Sequence, residues 1–102
     1  MKREPSLLGA RFGRNLFHSR RFAGLSQQEL ADLVGMHRVN LGELERGLRL
    51  PRADTIVKLA AGMEISTCVL LEGMEWHPGP QARDGDFYVE HPADTLRRSV
   101  RR

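Results

Sequence analysis

The chain has 102 residues, a length that suits one compact domain with a short appendage. Aromatic residues make up 6% of it, which argues against an aromatic-rich sandwich or barrel, and its one cysteine, Cys68, can form neither an internal disulfide nor a cysteine-paired zinc site. No apolar run approaches ~20 residues, so no membrane span is expected, and the lone cysteine fits a reducing cytoplasm.

The net charge is +3, but it is unevenly spread. Residues 1–25 carry Lys2, Arg3, Arg11, Arg14, Arg20 and Arg21 against Glu4, a balance of +5, whereas residues 26–76 carry five cations against eight carboxylates. Basicity gathered at one end can face phosphate. On charge alone, a solvated helix face is the favoured reading. The N-terminus, Met1 to Pro5, is basic, but Leu7 and Leu8 open no apolar segment, so it does not read as a signal peptide.

Leu8, Phe12 and Leu16, extended by Ser19 and Ala23, form a helical stripe that Gly24 stops. Ser26 then supplies an N-cap, with Glu29 at the capping-box position. Leu30, Ala31 and Val34 face one side of this second helix, which ends at Gly35. A third helix is predicted from His37 to Arg46, with Leu41 and Leu44 on one face, closed by Gly47 and blocked by Pro51. A fourth runs from Asp54, read as its N-cap, through Ile56, Leu59 and Ala60 to Gly62. A fifth begins at Ser66 and carries Val69 and Leu70, with Met74 a candidate extension.

His77, Pro78, Gly79 and Pro80 then break any helix. The expected organisation is a folded domain over 1–76 and a loosely structured or dimerising tail over 77–102. The fold class is all-α, five helices, with at most one short strand at Phe87, Tyr88 and Val89. A lone strand needs a partner edge for its amides, which a second copy could offer, while folding back onto the fifth helix is the simpler alternative. Trp76 reads as capping the fifth helix, with an anchor at a dimer contact as the alternative.

Two helices that meet at a steep angle need a small residue at their crossing, a turn that admits positive φ, and an aliphatic plug from the second helix. Ala31, Gly35 and Leu41 meet these needs in order, with Leu44 repeating the contact one turn on. The segment from Gly24-Leu25-Ser26-Gln27 through Leu30-Ala31 and Gly35 to Leu44-Glu45-Arg46-Gly47 resembles the Cro and lambda-repressor-like, or XRE-type, regulators. Pro51, Thr55-Ile56 and Leu59-Ala60 extend the likeness, which runs from about Phe12 to Leu71.

The resemblance implies a transcription regulator that binds double-stranded DNA. It places the third helix in the major groove, with Arg38, Val39, Asn40, Gly42 and Glu43 as base readers. Arg38 would grip guanine, Asn40 adenine and Glu43 cytosine, with Val39 against a thymine methyl. Gln27, His37, Arg46 and Arg49 would contact phosphate, and Arg20 and Glu45 would form an internal ion pair. Two positions depart from the family: His37 stands where a serine or threonine cap is usual, and Gly42 interrupts the recognition helix, leaving a bare patch on it. One module buries little DNA surface, so a homodimer on a palindromic operator is implied, formed through the fifth helix and the tail. The same fold serves antitoxins and protein adaptors, which makes a protein-binding role the alternative.

No enzyme is expected, because no nucleophile, base and orienting group share a context that would hold them. No cofactor or metal is expected either. His18, His37, His77 and His91 are dispersed, and His77, Asp84, Asp86 and His91 match no ligand spacing and read as loop surface. Cys68 reads as a small hydrophobe. The closing arginines, Arg97, Arg98, Arg101 and Arg102, read as a solvated end.

Overall fold

The computed structural model describes residues 6–81 and 83–90. They form α1 (Leu7–Phe22), α2 (Gln27–Val34), α3 (Arg38–Glu45), α4 (Ala53–Gly62) and α5 (Thr67–Leu70), followed by strands β1 (Met74–Pro78) and β2 (Gly85–Val89). The chain divides into two compact units, the first ending at Glu72 and the second beginning at Gly73. The boundary thus lies four residues before the one expected after Trp76.

In the helical unit, α1 packs on α3 and α5, α2 on α3 and α4, and α4 on α5. The core is Phe12 and Leu16 from α1, Leu30 and Ala31 from α2, Leu41 and Leu44 from α3, Leu59 and Ala60 from α4, Leu70 from α5 and Met63 just past α4, all buried. Helical periodicity selects all but Met63, whereas Ala23 and Val69, expected on the same stripes, are exposed. Ser6 caps α1 by accepting the Gly9 N–H at 2.9 Å. Ser26 accepts from the Glu29 N–H at 3.0 Å while the Glu29 carboxylate accepts from the Ser26 N–H at 2.8 Å, which completes the capping box. Gly35 takes the left-handed conformation, φ 71°, that the turn into α3 requires.

The close approach of α1 to α3 uses a feature that hydrophobic periodicity does not register. A Cβ on Gly13 would stand 2.5 Å from the carbonyl oxygens of both Leu44 and Glu45, and one on Gly9 would stand 2.7 Å from the Gly47 carbonyl. Two glycines one turn apart therefore let the α1 backbone rest against the end of α3. Gly47 mirrors this from the other side, with a left-handed φ of 76° and its Cβ position 2.8 Å from the Ala10 Cα.

Several expected boundaries shift, each for a local reason. The third helix is one residue shorter at each end, since His37 and Arg46 are its caps, and His37 makes no side-chain capping bond. The fourth helix starts at Ala53 with Arg52 as its cap, so Asp54 lies inside the first turn, its carboxylate accepting from the Thr55 N–H. Its C-terminal reversal falls on Glu64, φ 57°, a non-glycine residue in the left-handed region at a cost of roughly 1 kcal/mol. The helix itself ends at Gly62 as expected, and a Cβ there would stand 2.7 Å from Val34 Cγ1. The fifth helix keeps Ser66 as its N-cap but ends at Leu70. Asn15 Nδ2 donates to the carbonyls of Leu70 and Glu72, and Arg11 Nε donates to Glu72, so side chains from α1 take up acceptors at the end of the unit.

Met74 belongs to a strand rather than to the fifth helix. β1 and β2 form an antiparallel hairpin in the register Met74↔Val89, Glu75↔Tyr88, Trp76↔Phe87, His77↔Asp86 and Pro78↔Gly85. Phe87 to Val89 thus find a partner edge for their amides in the same chain, where a second copy was the expected source. Trp76, read as a helix cap, is a strand residue whose ring packs edge-on against Phe87 at 4.8 Å. His77 stacks on Tyr88 at 5.4 Å, on the opposite face. Gly85 leaves the space that the Trp76 indole occupies. His91 and the arginines of 97–102 lie outside the described residues.

Two of the helical glycines, Gly13 and Gly42, should respond oppositely to alanine. Gly13→Ala drives a methyl into backbone carbonyls and should destabilise the protein by roughly 1–3 kcal/mol. At Gly42 a Cβ would meet only flexible side-chain ends, the nearest at 3.4 Å. Gly42→Ala should therefore stabilise α3 by up to about 1 kcal/mol. Urea melts of both variants check this; a stabilised Gly13→Ala would mean that α3 does not need the glycine surface of α1.

Candidate nucleic-acid interface

α2 and α3 are joined by Gly35, Met36 and His37. The N–H groups of Gly35 and Met36 both turn back to the Ala31 carbonyl, which ends α2 abruptly and redirects the chain. Ala31, Leu41 and Leu44 then pack at the crossing, with Ala31 and Leu41 fully enclosed. α3 has eight residues, too few to be stable alone, so its placement depends on what grips it.

The main grip is ionic. Arg20 Nε donates to Glu45 Oε2 at 2.6 Å and its Nη2 donates to Glu45 Oε1 at 3.1 Å, a bidentate pair between α1 and α3. The two side chains are 8% and 4% exposed. Arg20 Nη1 also donates to the Leu25 carbonyl at 2.8 Å, and Gln27 Nε2 donates to Glu45 Oε1 at 2.9 Å. One carboxylate therefore ties together the end of α1, the start of α2 and the last turn of α3.

With Leu41, Gly42 and Leu44 turned inward, the remaining positions of α3 divide sharply. Arg38 and Val39 are exposed, Val39 at 61%, and His37 stands exposed at the cap. Asn40 and Glu43 are half-buried, and both accept from Arg49 Nη1, at 3.3 and 3.2 Å. Arg49 follows α3 in the loop toward α4 and is itself exposed. Gly42 departs from the expected bare patch, because it is buried beneath the side chains of Arg46 and Gln27. It forms a floor under these two polar groups and presents no surface of its own. Arg46 is exposed above it.

The structure thus brings Gln27, Gly42 and Arg46 together on one side, and Asn40, Glu43 and Arg49 on the other, with Arg38 and Val39 at the leading end of α3. Of the N-terminal cations, Arg11 and Arg20 are buried and bonded inside the fold, so they belong neither to a phosphate footprint nor to a solvated face; Arg14 and Arg21 are exposed. Sequence reasoning missed the roles of Arg11, Asn15 and Gly13. Their only mark is a spacing of four and two residues along α1, which no residue-type pattern distinguishes from surface. Cys68 is exposed. Among the described residues, no three His, Cys, Asp or Glu side chains cluster as metal ligands, and no helix is long and apolar enough to cross a membrane.

A family model described as helix-turn-helix matches residues 21–70, the segment that contains this crossing. The chain belongs to the XRE-type helix-turn-helix regulator family. Among relatives of this XRE-type chain is the SPbeta prophage-derived HTH-type transcriptional regulator YonR of Bacillus subtilis, 39% identical over 62 residues. That match covers 61% of this chain and spans only 57% of the relative's length. The restriction-modification controller protein C.AhdI from Aeromonas hydrophila is 39% identical with a TM-score of 0.59, over 61% of this chain and 94% of that one. The biofilm master regulator SinR, solved in complex with DNA, is 29% identical with a TM-score of 0.58, over 60% of this chain and 98% of that one.

Two stability tests follow from the geometry. Arg20→Ala leaves a buried, hydrogen-bonded carboxylate without its cation and should cost about 3–5 kcal/mol, while Arg20→Met with Glu45→Leu should cost less than either single alanine change. Denaturant melts decide it: an Arg20→Ala midpoint equal to wild type would remove the pair from its structural role. The second test concerns the capping box. The Ser26 backbone N–H, and then its hydroxyl, hold the Glu29 carboxyl below its ordinary range. Its folded-state pKa is depressed, so its contribution is present above the ordinary carboxylate range and lost as pH falls through the lowered value. The stability gap between wild type and Glu29→Gln should accordingly be open at neutral pH and close in acid.

Proposed function

We propose that this chain is a sequence-specific regulator of transcription that binds duplex DNA with α3 in the major groove, as a homodimer on a palindromic operator. The observation that carries the reading is the exposed leading end of an eight-residue helix, locked from behind by the Arg20–Glu45–Gln27 cluster. A helix held this rigidly, with its cap and first residues free, suits insertion into a groove. The likeness to SinR, a regulator solved in complex with DNA, supports the same reading.

Arg38 is the foremost base reader, since its guanidinium offers the paired donors that match guanine O6 and N7. Val39 rests against a thymine methyl, and Asn40 and Glu43 address bases one turn on. Gln27 uses one amide hydrogen on Glu45, which leaves the second for a phosphate, and Arg46 beside it supplies the charge. His37 adds a third phosphate contact at the turn. Gly42 acts beneath Gln27 and Arg46 and reads no base. Dimerisation follows from size, because a single module covers too little DNA for tight specific binding.

Selection of bound sites from random duplexes tests the whole reading and should return a two-fold symmetric motif. On that site, Arg38→Ala should cost roughly 1–3 kcal/mol and relax preference at one base pair. Arg46→Ala should weaken all sequences alike and lower the salt slope by about one. Failure to enrich any motif, with no gel shift at low salt, would hand the fold to a protein-binding role instead.

A further inference from the structure

We propose that Arg49 determines base preference without touching a base, by holding Asn40 and Glu43 in one fixed arrangement on the reading face of α3. The inference rests on the DNA-binding reading above. It reassigns Arg49 from the phosphate contact that the sequence suggests.

The geometry is a single nitrogen serving two side chains. Arg49 Nη1 lies 3.3 Å from Asn40 Oδ1 and 3.2 Å from Glu43 Oε1. A guanidinium Nη carries two hydrogens, so both bonds form at once, and Asn40 and Glu43 lie three apart on one face of the helix. Arg49 comes from outside α3, on the loop set by Gly47, and it lines a cleft of about 260 Å³ with Asn40, Leu44 and Pro51. Its position is therefore fixed by the α3–α4 connection and not by the helix it serves.

Three consequences follow from elementary chemistry. A guanidinium has donors only, so it draws the amide oxygen of Asn40 toward itself and turns the two Nδ2 hydrogens away. Asn40 then presents donors to the groove, which fits acceptor edges such as guanine N7 and O6 or thymine O4. The paired contact to adenine needs the amide oxygen turned to the groove beside the amide N–H, and Arg49 draws that oxygen toward itself instead. Glu43, for its part, keeps Oε2 free to accept from a cytosine amino group, while its charge is balanced by Arg49. Without that balance a carboxylate carried into the groove would face the phosphates alone.

The side chains of Arg49 and Glu43 are 50% and 26% exposed, so in free protein the pair is solvated and contributes little to stability. Its effect appears on docking, when water leaves and an unbalanced carboxylate becomes costly. A positioning role and a phosphate-anchoring role thus make different predictions. An anchor strengthens binding to every sequence and adds to the salt slope. A positioning residue changes which sequence is preferred.

The test uses the full chain and its selected site, with all single-base variants of that site, titrated at several salt concentrations. Asn40→Ala and Glu43→Gln first identify the base pairs these residues read. Arg49→Ala should lower discrimination at those same pairs by roughly 5- to 10-fold, leave the pair read by Arg38 unchanged, preserve the salt slope and melt with wild type. Adding Glu43→Gln to Arg49→Ala should restore much of the lost affinity, because the unbalanced charge is gone. Uniform weakening on all sites with a lower salt slope would make Arg49 a phosphate anchor and overturn the proposal. So would an Arg49→Ala variant with unchanged preferences. A wild-type chain that selects no motif would remove the DNA-reading premise itself, an outcome distinct from wild type reading DNA while Arg49 proves irrelevant to preference.

Discussion

The arrangement of the helical unit depends on one buried carboxylate. Glu45 sits in the last turn of α3, 4% exposed, and accepts two bonds from Arg20 and one from Gln27. Removing a carboxylate and a guanidinium from water is expensive unless the partners meet in good geometry. That expense gives the pair its directing power, since a displacement of α3 along α1 would strand both charges. The pair therefore does less to raise stability than to select one placement of α3 among those that an apolar contact would tolerate. Leu41 and Leu44 supply non-directional attraction, and Arg20 with Glu45 supplies the address.

Such a grip requires the helices to come close, and the glycines of α1 permit it. Gly9 and Gly13 bring the α1 backbone against the carbonyls at the end of α3, where any side chain would collide. Because the rear of α3 is held by backbone contact, an ion pair and two leucines, few of its eight residues are spent on packing. Arg38 and Val39 are left exposed, and Asn40 and Glu43 remain partly so. A short helix can thus be both immobile and available, the combination that base recognition demands. The same economy governs cations: Arg11 and Arg20 serve the interior, while Arg38, Arg46 and Arg49 stand around α3.

The second unit solves a different problem. A two-strand hairpin is marginal in water by itself, and here the register places Trp76 against Phe87 and His77 beside Tyr88. The ring pairs on its two faces supply cross-strand contact that the backbone ladder alone would not. Gly85 at the pairing opposite Pro78 clears room for the indole.

Much was legible in the residues themselves because it depends on local rules. The capping box at Ser26 and Glu29, the left-handed turn at Gly35 and the apolar stripes of four helices each follow from residues within a turn of one another. The crossing of α2 on α3 was legible too, since Ala31, Gly35 and Leu41 encode it at fixed spacing. What the residues could not disclose lies in contacts between distant segments. Met74 to Pro78 form a strand only because Gly85 to Val89 pair with them, and a lone reading of Met74 and Trp76 suggests a helix end. Gly42 looks like a gap in a reading surface until Gln27 and Arg46 are seen to cover it. Periodicity and capping act over a few residues and are written in the chain; burial, strand pairing and the sharing of Arg49 between Asn40 and Glu43 are set by which segments meet, and only the folded structure decides that.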